Sequence, residues 1–455
     1  MLSTINLIKL FGNHFRSLTV HQKNSTKMIC SQVLANPHLK YVASLFNEEG
    51  FVLRLAGGVV RDILLDQKPN DIDLATEATP DQMKRILQDK PTIRMFTTPA
   101  GERHGTVSAL VEGETLLEIT TLRIDRETDG RHAEVEFIKD WQLDALRRDF
   151  TINSMFMELD GKVIDYFDGQ NDLKEGIVRF VGNPVDRIKE DYLRILRYFR
   201  FYCRFGTKDH LEETLKAIRE NLDGLRNISG ERIWAEVKKT IAHKQANKVI
   251  PLMMADLKMG RYMGFPDEPE LSMDEFRKVY DNVWSMGTDF DPATLFSSLI
   301  RNEEELMSII LCLKISNLEK AIIGYILEQR NEGDHISLRK LQKELVTTSK
   351  SMQDSQRKLM NEFLKYRGSS DVFKEFESWP IPQFPLTGNK LKNRVKKAWL
   401  IGKIMNELRM MWVDSGFELN EEELMEEFDK LAEKYSNENS PPRTGGDNKK
   451  HSIRG

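Results

Sequence analysis

Asp71 and Asp73 flank a single isoleucine in the run Asn70-Asp71-Ile72-Asp73-Leu74, and a strand's two-residue period sets both carboxylates on one face. Like charges so close repel unless cations sit between them. Two magnesium ions would relieve that repulsion, clamp an α-phosphate and an attacking hydroxyl, and promote in-line displacement of pyrophosphate. An isolated Asp-x-Asp is common on solvated strands, so its neighbours must give it meaning.

Just upstream, Arg54-Leu55-Ala56-Gly57-Gly58-Val59-Val60-Arg61-Asp62 reads as a strand, a two-glycine turn and a helix. Glycines there lack the Cβ atoms that keep a phosphate away from backbone N–H groups. Gly58 and Arg61, in the first turns of that helix, are candidates to hold a triphosphate. A third carboxylate is expected from a neighbouring strand. Glu118 is the best candidate because it opposes the face of Leu117 and Ile119, an alternation that also suits a residue merely facing solvent.

The elements that must position these groups follow from hydropathy patterning. Short apolar runs over 51–56, 72–74, 106–111, 116–121 and 135–137 read as strands. Helices are expected after Gly58, after Thr79-Pro80 and over 141–146. Beyond Pro184 the periodicity is almost wholly helical until a proline-rich joint over 380–385, which is expected to separate a C-terminal helical unit opening with a basic helix that contains Lys390, Lys392, Arg394, Lys396 and Lys397. The segment from Ser436 is too polar to order itself.

Composition narrows the possibilities. A chain of 455 residues is long enough for about two to four domains. No apolar stretch is long enough to cross a bilayer as a helix. Cys30, Cys203 and Cys312 are scattered, which excludes paired zinc spacing and a disulfide framework. The net charge of −4 means that any RNA-binding surface must be a local patch. Neither a P-loop nor a dinucleotide-binding glycine motif is present. Before Glu48 there is no acidic residue, while Lys9, Arg16, Lys23 and Lys27 alternate with apolar residues in the manner of a mitochondrial transit peptide. A disordered arm is the alternative, and Met28 is a possible start for a cytoplasmic or nuclear form.

With these motifs in place, the chain resembles the class II CCA-adding enzymes and the related bacterial-type poly(A) polymerases of the DNA polymerase beta nucleotidyltransferase superfamily. Arg147-Arg148-Asp149 through Met155 resembles the family's ribose and phosphate motif, and Glu190-Asp191-Tyr192-Leu193-Arg194 its nucleobase-reading motif. Residues 122–132 resemble its flexible loop, and Ile228-Ser229-Gly230-Glu231-Arg232-Ile233 a further helical signature. The resemblance implies an α+β fold: a polymerase-beta-like mixed-sheet head, then an elongated all-helical neck, body and tail. The expected boundaries are 1–30 for a transit segment, 31–181 head, 182–245 neck, 246–379 body, 380–435 tRNA-binding tail and 436–455 disordered tail. The implied activity is addition of CCA to the tRNA 3′ end from CTP and ATP with Mg2+. Poly(A) polymerase and a non-catalytic RNA-binding protein are the alternatives. Monomer and homodimer both remain open.

Base choice has a chemical rationale under that reading. A helix over 190–203 would bury Tyr192, Ile195, Leu196, Phe199 and Cys203, leaving Asp191, Arg194, Arg197 and Arg200 on the other side. A carboxylate and a guanidinium complement the amino donor and ring acceptor of both cytosine and adenine. Uracil and guanine reverse that pattern, at about 1 to 3 kcal/mol for each buried group left unpaired. Arg148, Arg197 and Arg200 are then expected near the phosphates. The simpler alternative is an Asp191–Arg194 surface ion pair worth about 0.2 to 0.5 kcal/mol.

Overall fold

A computed structural model describes residues 28–128, 133–267, 269–331, 336–391 and 398–435. The leader before Met28, the 129–132 part of the loop, the basic run 392–397 and the tail from 436 lie outside the described residues. The polypeptide divides into two compact units, one of residues 1–280 with 291–320 and the other of residues 281–290 with 321–455.

The first unit opens with a seven-stranded mixed sheet in the order β3-β4-β5-β2-β1-β8-β9. Its strands are β1 (Leu53–Ala56), β2 (Ile72–Thr76), β3 (Ile93–Phe96), β4 (Thr106–Val111), β5 (Thr115–Thr121), β8 (Phe156–Met157) and β9 (Val163–Ile164). Leu55, Leu74, Val107, Ala109, Leu117 and Ile119 alternate toward one face and are buried, each by the two-residue period that marked them as strand residues. Helices α1 (Pro37–Glu48) and α3 (Pro80–Leu87) bury Leu39, Val42, Phe46, Met83 and Leu87 in the same unit. Thr79 starts α3 with a reciprocal capping box to Gln82, and Pro80 occupies the first turn, where its missing N–H costs nothing.

Two expectations need correction here. Residues 122–132 are not a loop throughout: Arg123–Thr128 forms strand β6, antiparallel to β7 (Ala133–Phe137). The first predicted strand is also shorter, since Phe51 and Val52 precede β1.

On the opposite face of the sheet, helix α4 (Trp141–Leu146) packs Trp141 and Ala145 against Ala56, Ala75 and Phe156. Beyond it the unit is helical, beginning with α5 (Pro184–Glu190), α6 (Leu193–Phe205) and α7 (Gly230–Ile241). The buried face of α6 is wider than its spacing suggests, adding Leu193, Tyr198 and Phe201 to Ile195, Leu196, Phe199 and Cys203. Tyr192 sits just before the helix and is half-buried. Behind α6, Tyr202 stacks on His210 at 3.7 Å and the Tyr198 hydroxyl meets His210 Nδ1 at 2.8 Å. Burial there pushes the imidazole down to about 4, against a smaller opposing pull from Asp209. Between that value and the ordinary histidine value near 6.5, the unfolded chain takes up a proton that the native state refuses, so this group's contribution to stability falls as pH falls. Thermal melts from pH 7 to pH 5 should therefore show a smaller acid-induced decline in a His210→Gln variant than in the wild type. Parallel declines would rule out this assignment.

The second unit gathers helices Leu338–Thr347, Ala398–Asp414 and Glu421–Tyr435 around Leu386, Leu400, Ile404, Leu408, Trp412, Leu424 and Phe428. The proline-rich joint packs on this same core through Trp379, Ile381 and Phe384. Arg357 holds it by donating to the carbonyls of Phe376 at 2.8 Å and Trp379 at 2.9 Å. The joint is thus an internal part of a compact unit that also includes Val346. Among the described residues no helix is long and apolar enough to cross a membrane.

Candidate active site

Strands β2 and β5 are parallel neighbours in a sheet whose other pairings are antiparallel, and their register sets Asp73 beside Glu118. Paired residues share a face, so the two side chains project together, away from Leu74, Leu117 and Ile119. Asp71 lies immediately before β2 in a bend and is exposed, so the predicted strand carries Asp73 alone. Burial raises the Asp73 carboxyl to about 6, and the charges of Glu118 and Asp71 push the same way against a smaller pull from Arg148. Among the described residues, no hydrogen bond or ion pair engages the Asp71, Asp73 or Glu118 carboxylates.

That donor set suits a hard divalent cation: oxygen ligands, unneutralised negative charge and no competing guanidinium bridge. Among the described residues no group of three metal-donor side chains is close enough to enclose an ion. The remaining ligands would come from phosphate and water, as is usual for magnesium at nucleotide sites.

Asp73 opens into a cavity of about 570 Å³ lined also by Gly57, Gly58, Arg61, Thr120, Arg123, Arg147, Arg148, Asp149, Asn153, Asp191, Arg194, Arg197, Phe201 and Arg232. Seven arginines against three aspartates leave an excess of four positive charges, which suits a polyanion. At its mouth the chain leaves β1 and enters α2 (Gly58–Leu64) through Gly57, whose φ is +69°. A Cβ at Gly57 would lie 2.7 Å from Arg148 Nη1 and 3.2 Å from the Asn153 carbonyl. The glycine requirement therefore falls on Gly57, whereas a Cβ at Gly58 would be in ordinary contact with Arg61 at 3.6 Å.

Three buried acids anchor the arginines. Asp144 holds Arg147 at 2.9 Å and Arg148 at 3.0 Å, and also accepts the Arg123 backbone N–H. Asp149 receives Arg197 Nε at 2.8 Å and Asn153 Nδ2 at 3.0 Å. Burial alone would raise both carboxyls, but the facing arginines and hydrogen bonds hold each below the ordinary carboxylate value. Asp62 accepts Arg61 Nε at 3.0 Å, and Arg61 Nη1 also donates to Asn153 Oδ1. Burial brings the Arg123 guanidinium down to about 10, assisted by the nearby Arg147 charge.

The base-reading candidates need two corrections. Asp191 is not on a helix continuous from 190 to 203; its extended backbone, with φ −152° and ψ 105°, breaks α5 from α6. Its Oδ1 accepts the Leu193 N–H at 3.0 Å and its Oδ2 accepts Arg232 Nη2 at 2.9 Å. The alternative Asp191–Arg194 ion pair is not formed. Arg194 instead donates to Glu190 at 2.7 Å and to the carbonyls of Arg187 and Arg147 at 3.0 Å each. Those contacts use three of the five N–H groups of Arg194, a residue that lines the cavity, and leave Nε and one Nη2 hydrogen unengaged by them. Arg200, expected near the phosphates, pairs with Glu236 of α7 at 3.0 Å and does not line the cavity.

Glu118 shares the face of Asp73 without lining the cavity, and Asp71 does not line it either; Gly58, Arg61, Arg148, Asp191, Arg194 and Arg197 do. Gly57 belongs to the two-glycine turn expected at the phosphates, while Arg123, Arg147, Asp149 and Arg232 lie within the quoted motifs without being site candidates themselves. Their signal was an arginine or aspartate beside a motif residue.

Residues 53–179 match the family model described as Poly A polymerase head domain, and residues 211–257 match that of the probable RNA and SrmB-binding site of polymerase A. Head and adjoining helices are those of a nucleotidyltransferase. The human protein named CCA tRNA nucleotidyltransferase 1, mitochondrial, is 45% identical over 401 residues, spanning 87% of this chain and 90% of that one. The zebrafish (Danio rerio) protein of that name is 42% identical over 391 residues, spanning 84% and 88%. The crystal structure of the Bacillus stearothermophilus CCA-adding enzyme in complex with CTP superimposes with a TM-score of 0.67 at 24% identity, covering 88% of this chain and 97% of that one, and so shares the fold. The chain belongs to the family of CCA tRNA nucleotidyltransferases. Nucleotidyltransferases of the polymerase beta type typically use a divalent metal.

Proposed function

We propose that this protein adds CCA to the 3′ end of tRNA from CTP and ATP without a template, releasing pyrophosphate at each step. The observation that carries this reading is the composition of a single cavity. It joins a carboxylate beside a glycine turn, an arginine-rich wall and an Asp191–Arg194 edge with unused donor and acceptor capacity.

Asp71 and Asp73 are the residues that would hold magnesium, with Glu118 next to Asp73. When bound, the metal supplies neutralisation of charge on the reacting phosphate and lowers the pKa of the attacking hydroxyl. Arg61, Arg148 and Arg197 supply fixed positive charge toward the triphosphate. Their anchoring by Asp62, Asp144 and Asp149 keeps them oriented before the nucleotide arrives.

At the other end, Asp191 accepts from the exocyclic amine of cytosine or adenine, while the free Arg194 N–H groups donate to the ring nitrogen and, in cytosine, to O2. Both reading groups are held by protein contacts, so selection does not depend on reordering them. Uracil and guanine would set acceptor against Asp191 and donor against Arg194. The mitochondrial names of the relatives and the acid-free leader support a mitochondrial location for this protein, with a form initiated at Met28 serving elsewhere.

The test is incubation of the purified protein and magnesium with tRNA transcripts lacking CCA, supplying nucleotides singly and together and resolving products at single-nucleotide length. Two additions with CTP and a halt at three with CTP plus ATP are expected. A long ladder from ATP alone would instead make it a poly(A) polymerase.

A further inference from the structure

Asp62 follows Arg61 on α2 but does not line the cavity. Its Oδ1 receives two guanidinium groups from different elements. Arg61 reaches it through Nε at 3.0 Å and Nη2 at 2.8 Å, and Arg204, in the last turn of α6, through Nη2 at 3.4 Å. Arg204 also donates to Gln67 Oε1 at 3.2 Å. The Phe205 ring lies 4.7 Å from each guanidinium carbon. Two guanidiniums sharing an aromatic platform repel one another, and the carboxylate between them neutralises that repulsion. Asp62 and Arg61 are 9% and 6% exposed, so solvent does little of this screening.

The same carboxylate ties α2, which carries Arg61, to the last turn of α6. Helix α6 is tied to the head at its start by Arg194 to the Arg147 carbonyl, at its middle by Arg197 to Asp149, and at its end by Arg204 to Asp62. A nucleotide whose base is read at the first tie and whose phosphates meet Arg61 needs these groups at a fixed separation.

We propose that Asp62 is a positioning residue for the incoming nucleotide: it orients Arg61 at the Gly57–Gly58 turn and, through Arg204, fixes the base-reading helix relative to that turn. The inference rests on the reading that this cavity takes CTP.

The test is equilibrium binding of CTP in the presence of magnesium to the full-length protein and to Asp62→Asn, Arg204→Ala and the double variant, with single-turnover C and U addition on tRNA. Asp62→Asn is expected to weaken CTP binding about tenfold by removing the charge that orders Arg61, and to narrow the preference for C over U. Addition at saturating CTP should fall by a smaller factor than CTP affinity does, so that the larger change is in KM rather than in kcat. Arg204→Ala should weaken binding by a smaller factor. The double variant should be no weaker than Asp62→Asn alone, since both changes break one contact.

Wild-type CTP affinity and base preference in folded Asp62→Asn would overturn the proposal. So would losses that multiply in the double variant. Should Asp62→Asn not fold, Arg204→Ala decides the matter, because that side chain is 38% exposed and its loss leaves no large cavity; normal binding and base preference there would overturn the proposal. A wild-type protein that binds no CTP would remove the underlying reading itself, and that result is distinguishable because it requires no variant.

Discussion

Asp71→Ala is expected to abolish incorporation of all four nucleotides, lowering single-turnover addition by about 10³-fold or more, while the melting temperature stays within a degree or two of wild type. Asp71 is exposed, lies before β2 and has no hydrogen-bond or ion-pair partner among the described residues, so its removal takes away no packing. What it removes is one of two carboxylates that would hold the metal beside the reacting phosphate. Because Asp191 and Arg194 are untouched, CTP should still be recognised through its base, and CTP should still protect the protein from thermal unfolding. Activity within tenfold of wild type would mean that the metal is held elsewhere. Loss of activity together with loss of folding would assign Asp71 a structural role that its exposure does not suggest.

Asp191→Ala is expected to act in the opposite sense, preserving magnesium-dependent transfer but admitting UTP. One misplaced acceptor facing a carboxylate that the bound base would cover costs about 1 to 3 kcal/mol, so removing that carboxylate should reduce the C-over-U preference about fivefold to 150-fold. Absolute rates will also fall, because Asp191 caps the Leu193 N–H and engages Arg232. The informative quantity is therefore the ratio of kcat/KM for CTP to that for UTP. An equal fall in both would assign Asp191 to helix capping alone.

The difference between these variants reflects what was legible in the chain. Strand β4 was readable at both ends because Val107, Ala109 and Val111 alternate with less buried neighbours. The Asp73–Glu118 pairing was partly readable: alternation gave the face of each residue, but the parallel register comes from the sheet. The break at Asp191 was not readable, since no glycine or proline lies between Val185 and Phe205. It is produced by tertiary contacts, with one carboxylate oxygen on the Leu193 N–H and the other on Arg232, 41 residues away. Arg200 was misplaced for a related reason. Its spacing on α6 matches that of Arg197, but a buried glutamate on α7 faces it. Strand β6 was missed because Arg123, Asp125, Arg126 and Glu127 give a charged run without apolar alternation. Asp144 and Asp149 carry no sequence pattern that marks them as buried, and the fold shows them beneath their arginines.

The parallel pairing of β2 with β5 also limits how this protein can change length. Inserting or deleting one residue within Ile72–Thr76 or Thr115–Thr121 would invert the facing of every side chain beyond that point. Asp73 or Glu118 would then exchange places with a core leucine or isoleucine. Length variation among relatives should therefore be absent from those two strands and collect in the turns, such as Glu112–Gly113–Glu114, where Glu112 and Gly113 already adopt positive φ and a Cβ at Gly113 meets no atom within 4 Å.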